Sequence, residues 1–301
     1  MTPRLFIGMP TYDGVKAPTV SSLLALTEEI RARGLGYEVQ ILPGISLLEY
    51  ARAVLAARFL ATAECTHFLM VDADMEFAPD VVTRMLAADV DLIGVSASKK
   101  SLDLDKVRAA VLAGRSDWRT AGLSITVDLG PRVETVRGAA KTLGGVGTGL
   151  LLAKRLVIQR VWDAHPELMF ENYAGSNERL CLMFRSGIRD GQLLGEDVGF
   201  CRLWRELGGE IHLLLDADIG HHGNYCYRAN LDHLYNPPGV ATKDAPTVAT
   251  GCRSAGCRTA PRCICVCKRC KTECARAIAL PAPSADDMLA TLERIAAMEI
   301  P

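Results

Sequence analysis

The feature that most constrains this chain is the regular alternation, over roughly its first 95 residues, of short apolar runs with helix-length amphipathic stretches. Arg4 to Met9, centred on Leu5-Phe6-Ile7, has the length of a buried strand and runs into the turn residues Pro10-Thr11-Tyr12-Asp13-Gly14. Ala17 to Arg33 reads as a helix stopped by Gly34, and Tyr37 to Leu42 as a strand closed by Pro43-Gly44. Leu47 to Ala63 places apolar residues at 47, 48, 51, 54, 55 and 59, one face of a second helix. His67 to Val71, Pro79 to Ala88 (with proline in its first turn) and Leu92 to Val95 continue as strand, helix and strand. This order predicts an α/β fold: a mostly parallel, Rossmann-like sheet with helices on both faces and ligand sites at the carboxyl ends of its strands.

Beyond Ser101 the pattern loosens. Ile125 to Leu129 and Val133 to Val136 have the look of short strands, and the glycine-rich stretch from Thr142 turns apolar towards Leu152. A helix is expected from Lys154 to Ala164, a loop-rich region over residues 165–195, a helix from Gly195 to Leu207, and a strand from Glu210 to Leu215. Residues 232–246 become polar and proline-rich, which puts the end of the main domain near residue 240. A cysteine-rich segment at 241–283 follows. Ser284 and two aspartates then cap a final amphipathic helix within 284–301.

Composition enters as an exclusion. At 49% hydrophobic residues the chain is too apolar to be disordered, and 301 residues suffice for a large core. Its longest apolar runs are far too short to span a bilayer, and residues 1–20 lack a basic start followed by an apolar stretch. A cytoplasmic protein without membrane insertion is the expectation.

The candidate chemistry starts at Asp72-Ala73-Asp74, directly after the apolar run Phe68 to Val71. Alternate residues of an extended segment point the same way, so the two carboxylates can converge. Their repulsion is relieved by a hard divalent cation whose remaining ligands are phosphate oxygens. A helix cap plus a solvated turn acid is the plainer alternative.

In this frame the chain resembles glycosyltransferases of the GT-A fold, close to the family 2 type common among bacterial and phage proteins. The stretches that carry the resemblance are Met9 to Tyr12, Arg52, His67 to Phe77, Gly147-Thr148-Gly149 to Arg155, His165 to Leu168, Gly195 to Gly209 and Ile219 to Gly223. The resemblance implies that Pro10, Thr11, Tyr12 and Asp13 line a nucleotide base, and that Asp72 and Asp74 hold Mn²⁺ or Mg²⁺ on a sugar-nucleotide diphosphate. A departing nucleoside diphosphate gathers negative charge, which such a cation stabilises. Arg52 either meets the diphosphate or the base, or is an ordinary surface arginine. Lys99 and Lys100 are similar candidates.

Glu196-Asp197 opens a helix, where the dipole favours an ionised carboxylate able to take a proton from an attacking hydroxyl. Similar enzymes place their catalytic base in this motif, which points to Asp197 with Glu196 beside it. A histidine at the position of His221 completes the metal site in such enzymes; adjacent His222 is the other choice. Asp216 and Asp218 repeat the Asp-x-Asp spacing but read as turn acids. Gly144 to Gly149 does not fit a dinucleotide fingerprint, because Leu152 stands where the last glycine belongs. Small residues at Gly147, Thr148 and Gly149 instead allow close approach of a sugar donor. Trp162 and Trp204 lie on apolar helix faces and read as core.

The last segment is chemically distinct. Cys252, Cys257, Cys263, Cys265, Cys267, Cys270 and Cys274 are seven of the eleven cysteines, and residues 247–277 carry seven basic residues against one acid. That local +6 leaves −7 on the rest of a chain whose formal net charge is −1. With few large apolar residues, the segment needs a staple. Thiolate-bound structural Zn²⁺ is the leading choice over disulfides or an iron–sulfur cluster. Its positive charge is the footprint of a phosphate-backbone contact.

The expected function is therefore a metal-dependent glycosyltransferase using a UDP- or GDP-sugar. The basic segment raises nucleic acid as acceptor, such as hydroxymethylated pyrimidine in phage DNA. A polysaccharide, lipid or protein acceptor is the alternative, as is a non-catalytic nucleic-acid-binding protein on the same fold. A nucleotidyltransferase is disfavoured because Pro10 to Gly14 lacks a basic glycine-rich loop.

Overall fold

The computed structural model describes residues 2–115, 118–125, 127–130, 133–172, 178–189 and 191–232. The cysteine-rich segment and the C-terminal helix expected at 241–283 and 284–301 lie outside the described residues. The described residues fall into two compact units, one running to Asp103 and again from Leu123, the other spanning Leu104–Gly122. The described elements of the second unit are helices α4 (Leu104–Leu112) and α5 (Trp118–Ala121).

The first unit opens with the expected alternation: β1 (Arg4–Pro10), α1 (Ala17–Ala32), β2 (Gly36–Leu42), α2 (Leu48–Ala61), β3 (His67–Val71), β4 (Met75–Phe77), α3 (Pro79–Ala88) and β5 (Leu92–Gly94). It continues after residue 122 with β6 (Thr135–Val136), β7 (Ala139–Lys141), β8 (Leu150–Lys154), α6 (Arg155–Ala164), β9 (Met169–Glu171), β10 (Arg179–Cys181), β11 (Gly187–Arg189) and β12 (Gln192–Leu194). Helix α7 (Glu196–Glu206) and strands β13 (His212–Leu214), β14 (Asp218–His222) and β15 (Cys226–Asn230) complete it.

The main sheet has eight strands in the order β2-β1-β3-β8-β5-β13-β7-β6. β1 pairs in parallel with both β2 and β3, and β5 with β13. β8 runs antiparallel between β3 and β5, and β7 antiparallel between β13 and β6. Six of the eight strands thus point one way, as expected of a mostly parallel sheet. β8 and β7 are reversed because each is entered from the strand-tip side of the sheet rather than through a crossover helix.

The chain leaves β1 through α1 to β2 on one side, then returns through α2 to β3 on the other. Right-handed crossovers in opposite directions put the two helices on opposite faces. The core shows this as two layers. Phe6, Phe68, Met70 and Leu151 pack with residues of α2, α6 and α7, while Leu5, Ile7, Leu69, Val71 and Leu152 pack with α1 and α3. Period-2 alternation along each strand feeds both layers. On the first face Phe6, Phe59 and Phe68 form an aromatic cluster with ring centroids 5.1–5.7 Å apart. A Cβ on Gly8 would stand 2.7 Å from the Phe68 ring, so only glycine admits that ring there.

Arg155 ties the layer together by donating to the carbonyl oxygens of Phe59 (2.8 Å), Leu60 (3.2 Å) and Cys65 (2.7 Å), capping the C-terminus of α2 with a cation. Trp204 is fully buried and Trp162 packs against the same layer, as expected.

Several expectations are corrected. The described part of 125–129 forms no strand, and 133–136 contributes only β6, since both stretches are short and partly polar. The strand expected at 210–215 is only His212–Leu214. The region 165–195 holds two hairpins, β9–β10 and β11–β12. A separate three-stranded sheet, β15-β14-β4, was not legible in the sequence at all.

Candidate functional site

β1 and β3 are parallel neighbours on either side of the point where the chain changes direction, so the loops leaving them meet. One backbone bond joins these loops, Lys16 N–H donating to Ala73 O (2.8 Å), and two more tie the β1 loop to the end of β2: Thr11 N–H to Leu42 O (3.0 Å) and Gly44 N–H to Tyr12 O (3.2 Å). Thr11 is buried and its hydroxyl accepts from Gly14 N–H (3.1 Å), closing the turn, with Gly14 at φ +136°. Tyr12 is left 68% exposed, its ring open to a ligand.

Two cavities flank the strand tips. One, of about 350 Å³, is lined by Pro10, Thr11, Tyr12 and Asp13 together with Asp72, Asp74, Lys100 and His221. The other, of about 620 Å³, is lined by Gly147, Thr148, Gly149, Glu196 and Asp197 together with Asp72 and His221. Asp72 and His221 belong to both walls. Every expected nucleotide, sugar and catalytic residue except Arg52 lines one or both cavities, as does Asp74 of the expected metal ligands. Lys99 lines the larger one.

Arg52 lies elsewhere than expected. It is neither a surface residue nor exposed to the cleft; only 1% of its surface is accessible. Its Nη2 donates to Asp72 Oδ1 at 2.8 Å, and its Nε stands 3.6 Å from Glu196 Oε1. Helix α2 carries it there on the face that also buries Leu55 and Phe59. One buried guanidinium therefore joins the strand-tip carboxylate to the first residue of α7.

Asp74 has its own cation. Lys100 Nζ donates to Oδ2, and His221 Nε2 lies 3.4 Å from Oδ1. Burial works against the Asp74 charge, but the nearby His221 ring and the Lys100 ammonium outweigh it and hold the carboxyl at about 2, below its usual 3.8. Burial likewise opposes a charge on His221, and the contacts with Asp74 and the Ser98 carbonyl overcome it, raising its pKa. His221 Nδ1 is 2.8 Å from Ser98 O. A carbonyl only accepts, so Nδ1 carries the proton and Nε2 faces Asp74.

The expected grip of both aspartates and His221 on one ion is not formed by these side-chain positions. Their donor atoms are not within 4.8 Å of one another. Arg52 draws Asp72 towards Glu196, while Lys100 and His221 hold Asp74, so each carboxylate is compensated separately. Asp74 and His221 alone do fit a divalent cation. Asp74 Oδ1 is buried without a hydrogen-bond donor, and 3.4 Å is near the ~3 Å edge between cis ligands of an octahedral cation. A histidine whose other ring nitrogen donates to a backbone carbonyl is also the usual form of a ligating one.

His221 and His222 part company because they are adjacent on β14 and point to opposite faces. β14 pairs with β4, setting His221 against Met75, one residue past Asp74. His222 faces away, with its Nε2 at 2.6 Å from Glu76 Oε2. Asp216 and Asp218 stay outside both cavities; Asp216 lies in the bend before β14, as expected, its Oδ1 accepting from Asn230 at 2.9 Å, whereas Asp218 is the first residue of β14 itself.

The glycine-rich loop links the two acidic pairs. Asp72 N–H donates to Gly149 O (2.9 Å), and an added Cβ on Gly149 would meet Met75 Sδ at 3.2 Å and Asp72 Oδ2 at 3.5 Å. A Cβ on Gly145 would press on Val198 of α7 at 3.0 Å. Arg205 holds the loop by donating to Thr142 O (3.0 Å) and to Gly144 O. Asp197 accepts from the N–H of Val198 at 2.7 Å and stays half-buried against the larger cavity. Sequence reasoning missed Ser98 and Arg205, whose roles run through backbone carbonyls and leave no motif.

No protein-family model and no curated protein sequence matches the chain. Among solved structures, A197 from STIV is similar over 73% of this chain and 86% of that one, at 13% identity and a TM-score of 0.39. A glycosyltransferase involved in glycosylation of the major capsid of PBCV-1 is similar over 54% of this chain and 67% of that one, at 11% identity and a TM-score of 0.27. At these values neither likeness bears on function.

Proposed function

We propose that the protein is a divalent-cation-dependent glycosyltransferase that moves a sugar from a nucleotide donor to an acceptor hydroxyl. The observation that supports this most is the pair of adjoining cavities with shared walls at Asp72 and His221, one lined by the β1 loop and Asp74, the other by Glu196 and Asp197.

The first cavity suits the donor nucleotide. Tyr12 offers a ring face to the base, and Lys100 offers positive charge to the diphosphate. Asp74 and His221 would hold Mn²⁺ or Mg²⁺. When bound, that cation supplies Lewis-acid stabilisation of charge on the departing diphosphate. Asp72, on the wall common to both cavities, faces the sugar, and Gly147 to Gly149 let it approach the backbone.

In the second cavity Asp197 takes the proton from the acceptor hydroxyl as its oxygen attacks the anomeric carbon. The bond from that carbon to the diphosphate oxygen breaks, and its electron pair leaves with the nucleoside diphosphate. Arg52 acts through Asp72 and Glu196 as a positioning residue.

A UDP- or GDP-sugar is the proposed donor. The +6 cysteine-rich segment favours a nucleic-acid acceptor, such as a hydroxymethylated pyrimidine in phage DNA, with structural Zn²⁺ on its thiolates. A polysaccharide, lipid or protein acceptor keeps the same chemistry. A thermal-shift screen of UDP-, GDP- and CMP-sugars with and without Mn²⁺ tests the donor half. A mobility-shift assay on duplex DNA at low salt tests the acceptor half; absence of binding removes nucleic acid. Sugar-nucleotide hydrolysis by wild type that persists unchanged in Asp74→Ala contradicts the assignment.

A further inference from the structure

On the face of β4–β14–β15 turned away from His221, three donors of different chemistry come together. Pairing sets His222 opposite Cys226, and Gly220 opposite both Glu76 and Arg228. Residues 220 and 222, and 226 and 228, share this face by strand alternation. Glu76, His222 and Cys226 bring one donor atom each within 4.8 Å of one another, and among the described residues no other trio of metal-ligating side chains does so.

We infer that Glu76, His222 and Cys226 form a binding site for a borderline-soft divalent cation of the Zn²⁺ type, separate from the strand-tip cavities. The distances support it. His222 Nε2 and Cys226 Sγ are 3.6 Å apart, and a zinc tetrahedron with bonds of about 2.0 Å to nitrogen and 2.3 Å to sulfur has an N···S edge of roughly 3.5 Å. His222 Nε2 and Glu76 Oε2, at 2.6 Å, need to separate by less than about 1 Å to admit the ion. Glycine at position 220 is what leaves room. A Cβ there would stand 3.0 Å from Glu76 Oε2 and 3.1 Å from Cys226 Sγ.

Arg228 Nη2 also donates to Glu76 Oε2. An outer hydrogen bond of this sort is the usual company of a ligating carboxylate oxygen. Thiolate and imidazole select against Mg²⁺ and Ca²⁺, so this site and the Asp74 site would take different ions. Its ligands come from all three strands of the sheet. Filling it would clamp β14 to β4, the pairing that carries His221 to Asp74.

The experiment is metal binding by the full chain, wild type against His222→Gln and Cys226→Ser, read as Zn²⁺ equivalents and as ¹¹³Cd NMR. The cysteine-rich segment binds alike in all three chains, so the difference reports this site. Wild type is expected to hold about one equivalent more than either variant. It should also show a ¹¹³Cd resonance upfield of any thiolate-rich one, absent from both variants. Equal stoichiometry with no such resonance overturns the inference. If Cys226→Ser does not fold, His222→Gln with Glu76→Gln, both of which keep hydrogen-bonding side chains, gives the same reading.

Discussion

Arg52 and Glu196, 144 positions apart in the chain, face each other across 3.6 Å in the interior of the protein, with Asp72 on the other side of the same guanidinium at 2.8 Å. This arrangement sets strand tip and helix start at a fixed separation. Replacing Arg52 by Met keeps the volume and removes the charge, stranding two carboxylates. Wild type should be the more stable by about 3 kcal/mol in urea denaturation. Arg52→Lys should recover only part of this, since one ammonium cannot replace the fork. Equal stability of all three contradicts the positioning role.

Lys100 occupies the carboxylate that a divalent cation would use. Lys100→Met should therefore tighten Mn²⁺ binding severalfold in the absence of nucleotide, measured by electron paramagnetic resonance, while weakening donor binding. Weaker Mn²⁺ binding in the variant argues against Asp74 as a ligand.

The pH dependence of stability has a definite sign. Burial lowers the pKa of His67 and of His212 below the usual 6.5, with Lys154 adding to the effect at His67. Both are more readily protonated in the unfolded chain, so their contribution is present above pH 6.5 and lost as pH falls below it. His221 is raised and works oppositely, losing its contribution as pH rises through its folded value. The unfolding free energy of His212→Leu should fall less than that of wild type between pH 7 and pH 5. An unchanged slope contradicts the assignment.

Helix α7 depends on Gly199. A Cβ there would lie 2.2 Å from the backbone oxygen of Arg185, and backbone cannot swing aside. Gly199→Ala should cost about 2 kcal/mol or more and lower transferase activity by displacing the turn that carries Asp197. A fully active, fully stable variant shows that α7 tolerates the shift.

Much of the fold was legible because the first four main-sheet strands and the helices between them obey simple periodicity. Leu5-Phe6-Ile7 and Phe68 to Val71 are continuous apolar runs, as strands buried on both faces must be. Pro79 marks the start of α3, and Gly34 follows α1. The acidic pairs were legible from their places after a strand and at a helix start. Arg52 was not, because a buried arginine and a surface one look alike until the partners across the chain are known. The β4–β14–β15 sheet was hidden for a similar reason. Met75 to Phe77 is only three residues long, and Gly220-His221-His222 lacks β-formers. Its pairing comes from tertiary context alone, and with it the separation of His221 from His222.

The most direct measurement is Mn²⁺-dependent release of nucleoside diphosphate from a panel of UDP- and GDP-sugars, with wild type, Asp74→Asn and Asp197→Asn run side by side. Wild type should turn over at least one donor. Asp74→Asn should lose donor binding and turnover together, and Asp197→Asn should bind the donor as tightly while its turnover falls about 100-fold or more. A wild-type chain that neither binds nor cleaves any of these donors, with Mn²⁺ or Mg²⁺ present, contradicts the account.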